Sequence, residues 1–236
     1  MRESNDPFAW FTMSDVESSS PALSPTLTGS EMANPIRKRP KPGERRVQIL
    51  QALATMLEQP GAERITTAAL AARLDVSEAA LYRHFASKAQ MFEGLIEFIE
   101  QTVFSLVNQI VDRESASDVA DAAAGPRQAR KVVAMVMQFA EKNPGMTRVM
   151  VGDALVFENE RLQQRMNQFF DKIESTLKQC LRGAADLSGS ATPSVDTQVR
   201  ASVLTAFMVG RLQRFARSGF KRLPSEHLEA SLALIL

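Results

Sequence analysis

The stretch ITTAALAARLDVSEAALYRHFASK, which runs from Ile65 to Lys88, contains the residues whose types and spacing best fit a recognisable chemistry. Two short helical patterns in it are separated by a tight turn at Asp75-Val76. Thr66 and Ser77 stand where each helix needs an N-cap. Two helices joined in this way can place the second one in the major groove of DNA. The stretch therefore predicts recognition of double-stranded DNA.

The residue types of the second helix suit close contact with a duplex. Ala79 and Ala80 carry little bulk, so the backbone can approach base edges and a methyl group can meet thymine. Polar and cationic side chains around them, and the free amides at the two helix starts, can bond bases or phosphates. The predicted DNA-contacting residues are Arg45, Arg46, Thr66, Thr67, Ser77, Glu78, Ala79, Ala80, Tyr82, Arg83, His84 and Lys88.

The positive charge of the chain is concentrated around this stretch. The net charge of the whole chain is only +1. Residues 1–36 contain one basic and five acidic side chains, whereas residues 37–92 contain ten basic and five acidic ones, and the rest of the chain is balanced. Local positive charge is expected where a protein meets a polyanion, and a solvated basic linker is the alternative that charge alone leaves open.

The segment before the first helix has two parts. Residues 1–36 are rich in Ser, Pro, Thr and Asp and predict a disordered tail, in which Met32 is an alternative start of translation. Residues 37–41 are mostly basic, and prolines at 40 and 42 favour an extended arm. We expect this arm, with Arg45 and Arg46, to add nonspecific affinity for phosphates.

Helical periodicity of apolar residues continues from Val47 to the C-terminus, and no alternating strand pattern interrupts it. The predicted fold is therefore all-α. We divide it into the tail at 1–36, a three-helix helix-turn-helix head at 37–92, and a helical dimerisation and regulatory bundle at 93–236. A long fourth helix begins at Ser87-Lys88-Ala89-Gln90, which has the S-x-x-Q pattern of a capping box, and runs to about Arg113 with two apolar stripes. After it we expect a loop at 114–126 and helices near 127–141, 146–157, 159–182 and 196–218, followed by a short terminal helix.

The helices at 159–182 and 196–218 are predicted to form a two-fold interface. Their apolar stripes are wide, and small residues allow helices to approach closely. The expected interface residues are Phe169, Ile173, Val203, Phe207 and Gly210. Such a homodimer places its recognition helices about 34 Å apart, so it should read palindromic DNA.

Other classes of protein have less support in the sequence. A lone cysteine, Cys180, excludes a disulfide framework, and neither a signal peptide nor a membrane-spanning run is recognisable. We therefore expect a cytoplasmic protein. Catalytic motifs and clustered metal ligands are also lacking, so we expect neither an enzyme nor a bound cofactor or metal. The methionines at 135, 137, 146 and 150 predict helical core, with a small-molecule pocket as the alternative.

The head resembles the TetR family of bacterial DNA-binding proteins. The residues that match the family pattern are Thr66, Thr67, Leu70, Ala71, Val76, Ser77, Leu81, Tyr82, His84, Phe85, Ser87 and Lys88. Asp75 stands where the family usually has Gly. Because Asp tolerates left-handed backbone better than most residues, the turn is expected to persist. The resemblance implies a dimeric DNA-binding protein with an all-α fold.

Strings beyond the head are similar to the nucleoid occlusion proteins within that family. They are LIEFIE, EKNPGMTR and FENERLQQRMNQFFDKIE. The resemblance implies a nucleoid-associated dimer on palindromic chromosomal sites, which antagonises assembly of the tubulin-like division protein FtsZ. A ligand-responsive repressor on the same fold is the alternative function.

The same resemblance implies a groove around the fourth and fifth helices for the C-terminal tail of FtsZ. The expected partner-binding residues are Phe98, Met135, Lys142 and Asn143. Lys142 stands where Arg is expected, and Leu106 replaces an expected basic residue. Phe98 lies between two apolar stripes of the fourth helix, from which we expect its ring to reach solvent. The alternative is that Phe98 is buried core and Lys142 only a charge at a helix end.

Overall fold

Every regular element in the described part of the chain is helical, so the all-α prediction is confirmed. The computed structural model describes residues 43–59, 65–115, 123–187 and 191–236. A 3-10 turn at Asp153–Leu155 separates the sixth and seventh helices. The α-helices are α1 Glu44–Leu57, α2 Thr67–Arg73, α3 Glu78–Tyr82, α4 Lys88–Ser115, α5 Ala124–Lys142, α6 Pro144–Met150, α7 Glu160–Leu187, α8 Pro193–Arg217 and α9 Leu228–Ile235.

The chain divides into two compact units, Met1–Gln48 and Ile49–Leu236. In the first unit the structure describes residues 43–48. Gly43 has a φ of +93°, and its carbonyl oxygen accepts a hydrogen bond from the Val47 amide at 3.3 Å as α1 begins. The predicted tail at 1–36 and basic arm at 37–41 lie outside the described residues.

In the second unit, α4 is buried on two sides. Met91 and Leu95 on one stripe and Phe92 and Ile96 on the other are all 1% exposed or less. Helices α5, α6 and α7 all pack against α4. An amphipathic surface helix has a single apolar face, so two buried stripes indicate a helix enclosed between layers. Helix α4 is therefore the element that connects the head to the body.

Helix α7 packs against α8, α5 and α4. Phe169 lies at the centre of this packing, with its ring edge-on to Phe104 at 5.4 Å and to Phe170 at 5.1 Å between ring centroids. Such T-shaped contacts add to the free energy gained from apolar burial. Phe169 thus belongs to the protomer's own core.

Two glycines allow backbone segments to come into direct contact. One of them, Gly125, lies in a helix where a loop was predicted. A Cβ atom on Gly125 would lie 2.2 Å from the carbonyl oxygen of Cys180, and one on Gly145 would lie 2.0 Å from that of Ala54. Gly125 and Pro126, predicted to lie in a loop, belong to the first turn of α5. Glycine is needed there for close approach to α7, and proline is tolerated in a first turn.

The sixth helix is shorter than the predicted 146–157. Pro144 opens it, since a first helical position needs no amide donor. Gly152 follows it with a φ of +84°, the left-handed conformation that ends helices. The segment after Gly152 is a 3-10 turn rather than a continued α-helix.

Candidate functional site

The two helices of the helix-turn-helix are short, and each is capped by the predicted residue. The Thr66 hydroxyl accepts a hydrogen bond from the Ala69 amide at 3.1 Å, and the Ser77 hydroxyl accepts one from the Ala80 amide at 3.3 Å. Each side chain satisfies an amide that has no partner within its helix. Both N-cap predictions are confirmed.

The turn between α2 and α3 is left-handed at Asp75, where φ is +53°. The Val76 amide donates to the carbonyl oxygen of Ala71 at 3.0 Å and closes the end of α2. The prediction that Asp75 tolerates the turn is confirmed. Leu81, which is fully buried, and Phe85, which is 1% exposed, anchor α3 in the core.

The outward side of this motif presents polar and small groups. Ser77, Glu78, Ala79, Tyr82, Arg83 and His84 are all exposed, as is Thr66, while Thr67 and Ala80 are half-buried. The Thr67 hydroxyl donates to the Glu78 carboxylate at 2.5 Å and links α2 to α3. Every predicted DNA residue of these two helices and their flanks is thus at least partly accessible to solvent.

Arg45 and Arg46 belong to the first unit. Arg45 is half-buried and donates from Nη1 to the side-chain oxygen of Gln48 at 3.0 Å, while Arg46 is exposed. A guanidinium group has five N–H donors, so Arg45 has further donors besides the one that binds Gln48.

Lys88 opens α4, and its ammonium forms a hydrogen-bonded ion pair with the Glu158 carboxylate of the body. The Lys88 side chain is 31% exposed and that of Glu158 is 10% exposed. The predicted cap of α4 is present, since the Ser87 hydroxyl accepts from the Gln90 amide at 3.2 Å. Gln90 in turn accepts from the Ala86 amide at 2.8 Å rather than from that of Ser87. Because Glu158 already binds the Lys88 ammonium, a DNA phosphate must compete with that carboxylate for Lys88.

Two further ion pairs join α4 to α7. Arg161 donates to Glu93 at 2.5 Å, and Arg165 makes a two-pronged contact with Glu100 at 3.1 and 2.6 Å. The hydrogen bond to Glu100 raises the pKa of Arg165. These ion pairs were not predicted, although acids two turns apart on α4 and arginines one turn apart on α7 are a signal that the sequence contains.

The four residues predicted to bind a partner differ in their exposure to solvent. Phe98 is 3% exposed and Asn143 is 5% exposed, so the expectation that the Phe98 ring reaches solvent is wrong. The Asn143 amide nitrogen donates to the Phe139 carbonyl oxygen at 2.6 Å, at the break between α5 and α6. Met135 is half-buried and Lys142 is exposed, seven residues apart on the outer side of α5.

The residues predicted to form the dimer interface also separate into two groups. Phe169 and Ile173 are fully buried inside the protomer, so the expectation that α7 presents them to a second chain is wrong. Their stripe packs inward because α7 lies between α4, α5 and α8. Val203 is 46% exposed and Phe207 is half-buried under the Arg211 guanidinium, 5.0 Å from the ring centroid.

Helix α8 presents an exposed apolar face of which Val203 is one member. Val195 and Val199, two turns and one turn before it, are 58% and 55% exposed, and a Cβ atom on Gly210 would meet nothing within 4 Å. We define this α8 face by Val195, Val199, Val203, Phe207 and Gly210. Val195 and Val199 were not among the predicted interface residues, although their spacing of four residues places them on one side of a helix.

The remaining candidates lie mostly in the core. Met137, Met146 and Met150 are buried. Cys180 is 9% exposed, and burial raises the pKa of its thiol to about 11. In the ranges that the structure describes, no three His, Cys, Asp or Glu side chains are arranged to hold a metal ion. No helix in those ranges combines the length and apolar character needed to cross a membrane.

Family models match both parts of the chain. The model for bacterial regulatory proteins of the tetR family matches residues 49–95. A model described as SlmA-like, tetracyclin repressor-like C-terminal domain, matches residues 127–236.

Similar proteins extend this match over most of the chain. Nucleoid occlusion factor SlmA of Idiomarina loihiensis is 50% identical over 186 residues, which are 79% of this chain and 90% of that protein. The protein of the same name from Vibrio cholerae is 50% identical over 192 residues, 81% of this chain and 93% of that protein. Both matched segments are too long to be confined to the head.

Solved structures share the fold at low identity. The transcriptional regulator FadR of Bacillus subtilis, in complex with stearoyl-CoA, has a TM-score of 0.60 and 14% identity, covering 80% of this chain and 96% of that one. The TetR-family regulator PfmR of Thermus thermophilus has a TM-score of 0.59 and 20% identity, covering 80% and 97%. At such identities the likeness establishes the helix-turn-helix head and helical body alone.

Proposed function

The chain belongs to the SlmA family of TetR-type regulators, and from that premise we propose that it is a DNA-binding nucleoid occlusion factor. It binds palindromic chromosomal sites as a homodimer, works at the nucleoid, and antagonises FtsZ assembly. The single observation that carries this proposal is the 50% sequence identity to a nucleoid occlusion factor, which extends over 93% of that protein's length and therefore well beyond the head.

In this proposal α3 reads the major groove. The small side chains of Ala79 and Ala80 let the helix approach the base edges, while Tyr82 and Arg83 bond phosphates. The Thr66 and Ser77 caps keep both helix starts in place, and nearby backbone amides can also meet phosphate. Phosphate contacts set the position on the duplex, and contacts by the first turn of α3 set the sequence.

The α8 face supports the proposal of a homodimer. Three valines on one helical side, each close to half exposed or more, form a contiguous apolar surface that a single chain leaves in water. A two-fold axis through this face would bury it against its copy, and Gly210 lets the second helix approach closely. The interface that we propose is therefore formed by α8 without Phe169 and Ile173.

The outer side of α5 is the surface that we propose for the FtsZ tail. Met135 offers a half-buried apolar contact and Lys142 an exposed cation, which suit a tail with apolar and acidic residues. Phe98 and Asn143 are buried, so we propose that they support this surface without contacting the tail. Phe98 packs in the core, and the hydrogen bond from Asn143 to Phe139 fixes the end of α5 beside Lys142.

The test measures sedimentation of FtsZ polymers with the protein and its DNA site, with the protein alone, and with neither. We expect the protein–DNA complex to reduce sedimented FtsZ most. Lys142→Glu reverses one charge on α5, so it should lower capture of the FtsZ tail at least about tenfold. Its affinity for DNA should stay within about twofold of the parent, because the head is unchanged.

Lys178→Glu on α7 is the matched control, with the same charge change near the opposite end of α5 from Lys142. Loss of FtsZ capture by both variants would assign the effect to net charge and remove the α5 surface. If the parent itself never captures FtsZ, with or without DNA, the division function fails and a ligand-responsive repressor takes its place.

A further inference from the structure

A basic pocket lies where the chain leaves α8 and turns towards α9. It has a volume of about 460 Å³. All of its lining comes from one stretch of 16 residues, which contains none of the residues proposed above to bind the duplex or the FtsZ tail. Arg211 also lies over Phe207 of the α8 face. The lining residues are Arg211, Arg214, Lys221, Arg222, Leu223 and Glu226.

The four cations of the basic pocket are not neutralised by neighbouring carboxylates. Within the described residues, no carboxylate forms an ion pair with Arg214, Lys221 or Arg222. Arg211 donates one hydrogen bond to the neutral hydroxyl of Ser231 at 3.1 Å. Glu226 is the only acid of the lining, and its carboxylate is 59% exposed. The pocket therefore has a clear excess of positive charge.

The loop that carries Lys221 and Arg222 is held in place by hydrogen bonds. The Ser218 hydroxyl accepts from the amides of both residues, at 3.1 and 3.0 Å. Further on, the Ser225 amide donates to the Glu141 carboxylate of α5 at 2.8 Å. Both ends of the loop are thus tied down, so the two cations start from a fixed backbone.

Phe220 fixes the middle of the same loop. Its φ of +64° is unfavourable for a bulky side chain and persists only when the surroundings impose it. The ring packs edge-on against Phe215 at 5.2 Å, with the Arg148 guanidinium 5.3 Å above it. Its amide donates to the Phe215 carbonyl oxygen at 3.0 Å. The loop is therefore preorganised rather than adaptable.

An ordinary structural role explains only part of this cluster. Arginines in the last turn of a helix offset the negative end of its dipole, and Arg214 lies in that turn of α8. Lys221 and Arg222 come after the helix has ended, so this explanation does not cover them. The volume lies within the range of about 300–1,000 Å³ that small-molecule sites occupy.

We propose that the basic pocket binds a compact polyphosphate, either free or as the phosphate chain of a nucleotide. A polyphosphate concentrates several negative charges in a small volume and offers only acceptor oxygens, which guanidinium groups bind in pairs. Arg211, Arg214, Lys221 and Arg222 donate to its oxygens. Leu223, which is 50% exposed, gives the rim one apolar contact. A single carboxylate would leave most of this charge uncompensated.

The test is a calorimetric titration of the full chain at 0.15 M salt, about the physiological ionic strength. The ligands are inorganic tripolyphosphate, a nucleoside triphosphate and a nucleoside monophosphate. We expect one triphosphate-bearing ligand per protomer, and weaker binding of the monophosphate by at least about tenfold. Equal affinity for the first two ligands would assign recognition to the phosphate chain, and tighter nucleoside triphosphate binding would assign it to a nucleotide.

The double variant Lys221→Ala/Arg222→Ala should weaken triphosphate binding at least about tenfold, and Lys221→Arg/Arg222→Lys should retain it. Arg113→Ala/Arg182→Ala is the matched control, because it removes the same charge from exposed positions on α4 and α7. The proposal is overturned if every ligand binds more weakly than about 1 mM. It is also overturned if the pocket and control variants lose affinity equally, since binding at the head as a DNA mimic would give that result.

Discussion

The helix-turn-helix and the outer sides of α5 and α8 are both surfaces for which we propose a partner, but they are built on different principles. In the helix-turn-helix, two helices of seven and five residues each begin with a side-chain cap, and the residues that they bury are Leu70, Ala71 and Leu81. In the body, long helices have apolar residues on several sides, and packing decides which side stays in water. The head surface follows from local chemistry, whereas the body surfaces follow from the tertiary arrangement.

The substitution with the largest expected effect tests whether the α8 face joins two protomers. Val199→Glu places a charge at the middle of the apolar stripe, so burying it against a second copy becomes unfavourable. We expect monomers in analytical ultracentrifugation and a loss of operator affinity of about 100-fold or more, because two linked heads bind far more tightly than one.

Asn108→Glu, which adds the same charge at an exposed position of α4, is the control and should remain dimeric. A dimeric Val199→Glu protein with parental operator affinity would show that α8 does not form the interface.

A smaller effect is expected when the reading helix is enlarged. Ala79→Leu adds bulk where the backbone is proposed to approach the bases, so affinity for the specific site should fall about 10- to 100-fold. Affinity for unrelated DNA and for FtsZ should change little. Ala72→Leu on α2 is the matched control. An equal loss on specific and unrelated DNA, measured by fluorescence anisotropy, would contradict a reading role for this position.

The smallest effect concerns the ion pair between head and body. Glu158→Gln removes the carboxylate that holds Lys88, so the ammonium is freer to contact phosphate. DNA affinity should rise about two- to fivefold, since partly exposed ion pairs contribute roughly 1 kcal/mol or less. Glu93→Gln, in the neighbouring pair, should not change it. Unchanged or weaker DNA binding by Glu158→Gln, with its melting temperature intact, would show that Lys88 does not serve the duplex.

The features that could be predicted from the sequence are those that depend on local chemistry, and those that could not depend on tertiary packing. Caps at Thr66, Ser77 and Ser87 and the left-handed Asp75 were predictable because each depends on neighbours within a few residues. The burial of Phe98, Phe169 and Ile173 was not, because an apolar stripe has the same spacing whether it meets its own chain or a second one. Gly125 was misassigned because its close contact with Cys180 joins residues that are far apart in sequence.

The glycine contacts at the two ends of α5 have a mechanical consequence. Side chains can relieve a small displacement by changing rotamer, but at Gly125 and Gly145 backbone meets backbone, and no rotamer exists to absorb movement. Helix α5 is thus a stiff strut. Its first turn contacts α7, and the first turn of α6, which follows its other end, contacts α1. We therefore expect a partner that presses on its outer side to tilt the helix as a unit. The strut ends on α1, the helix that opens the head.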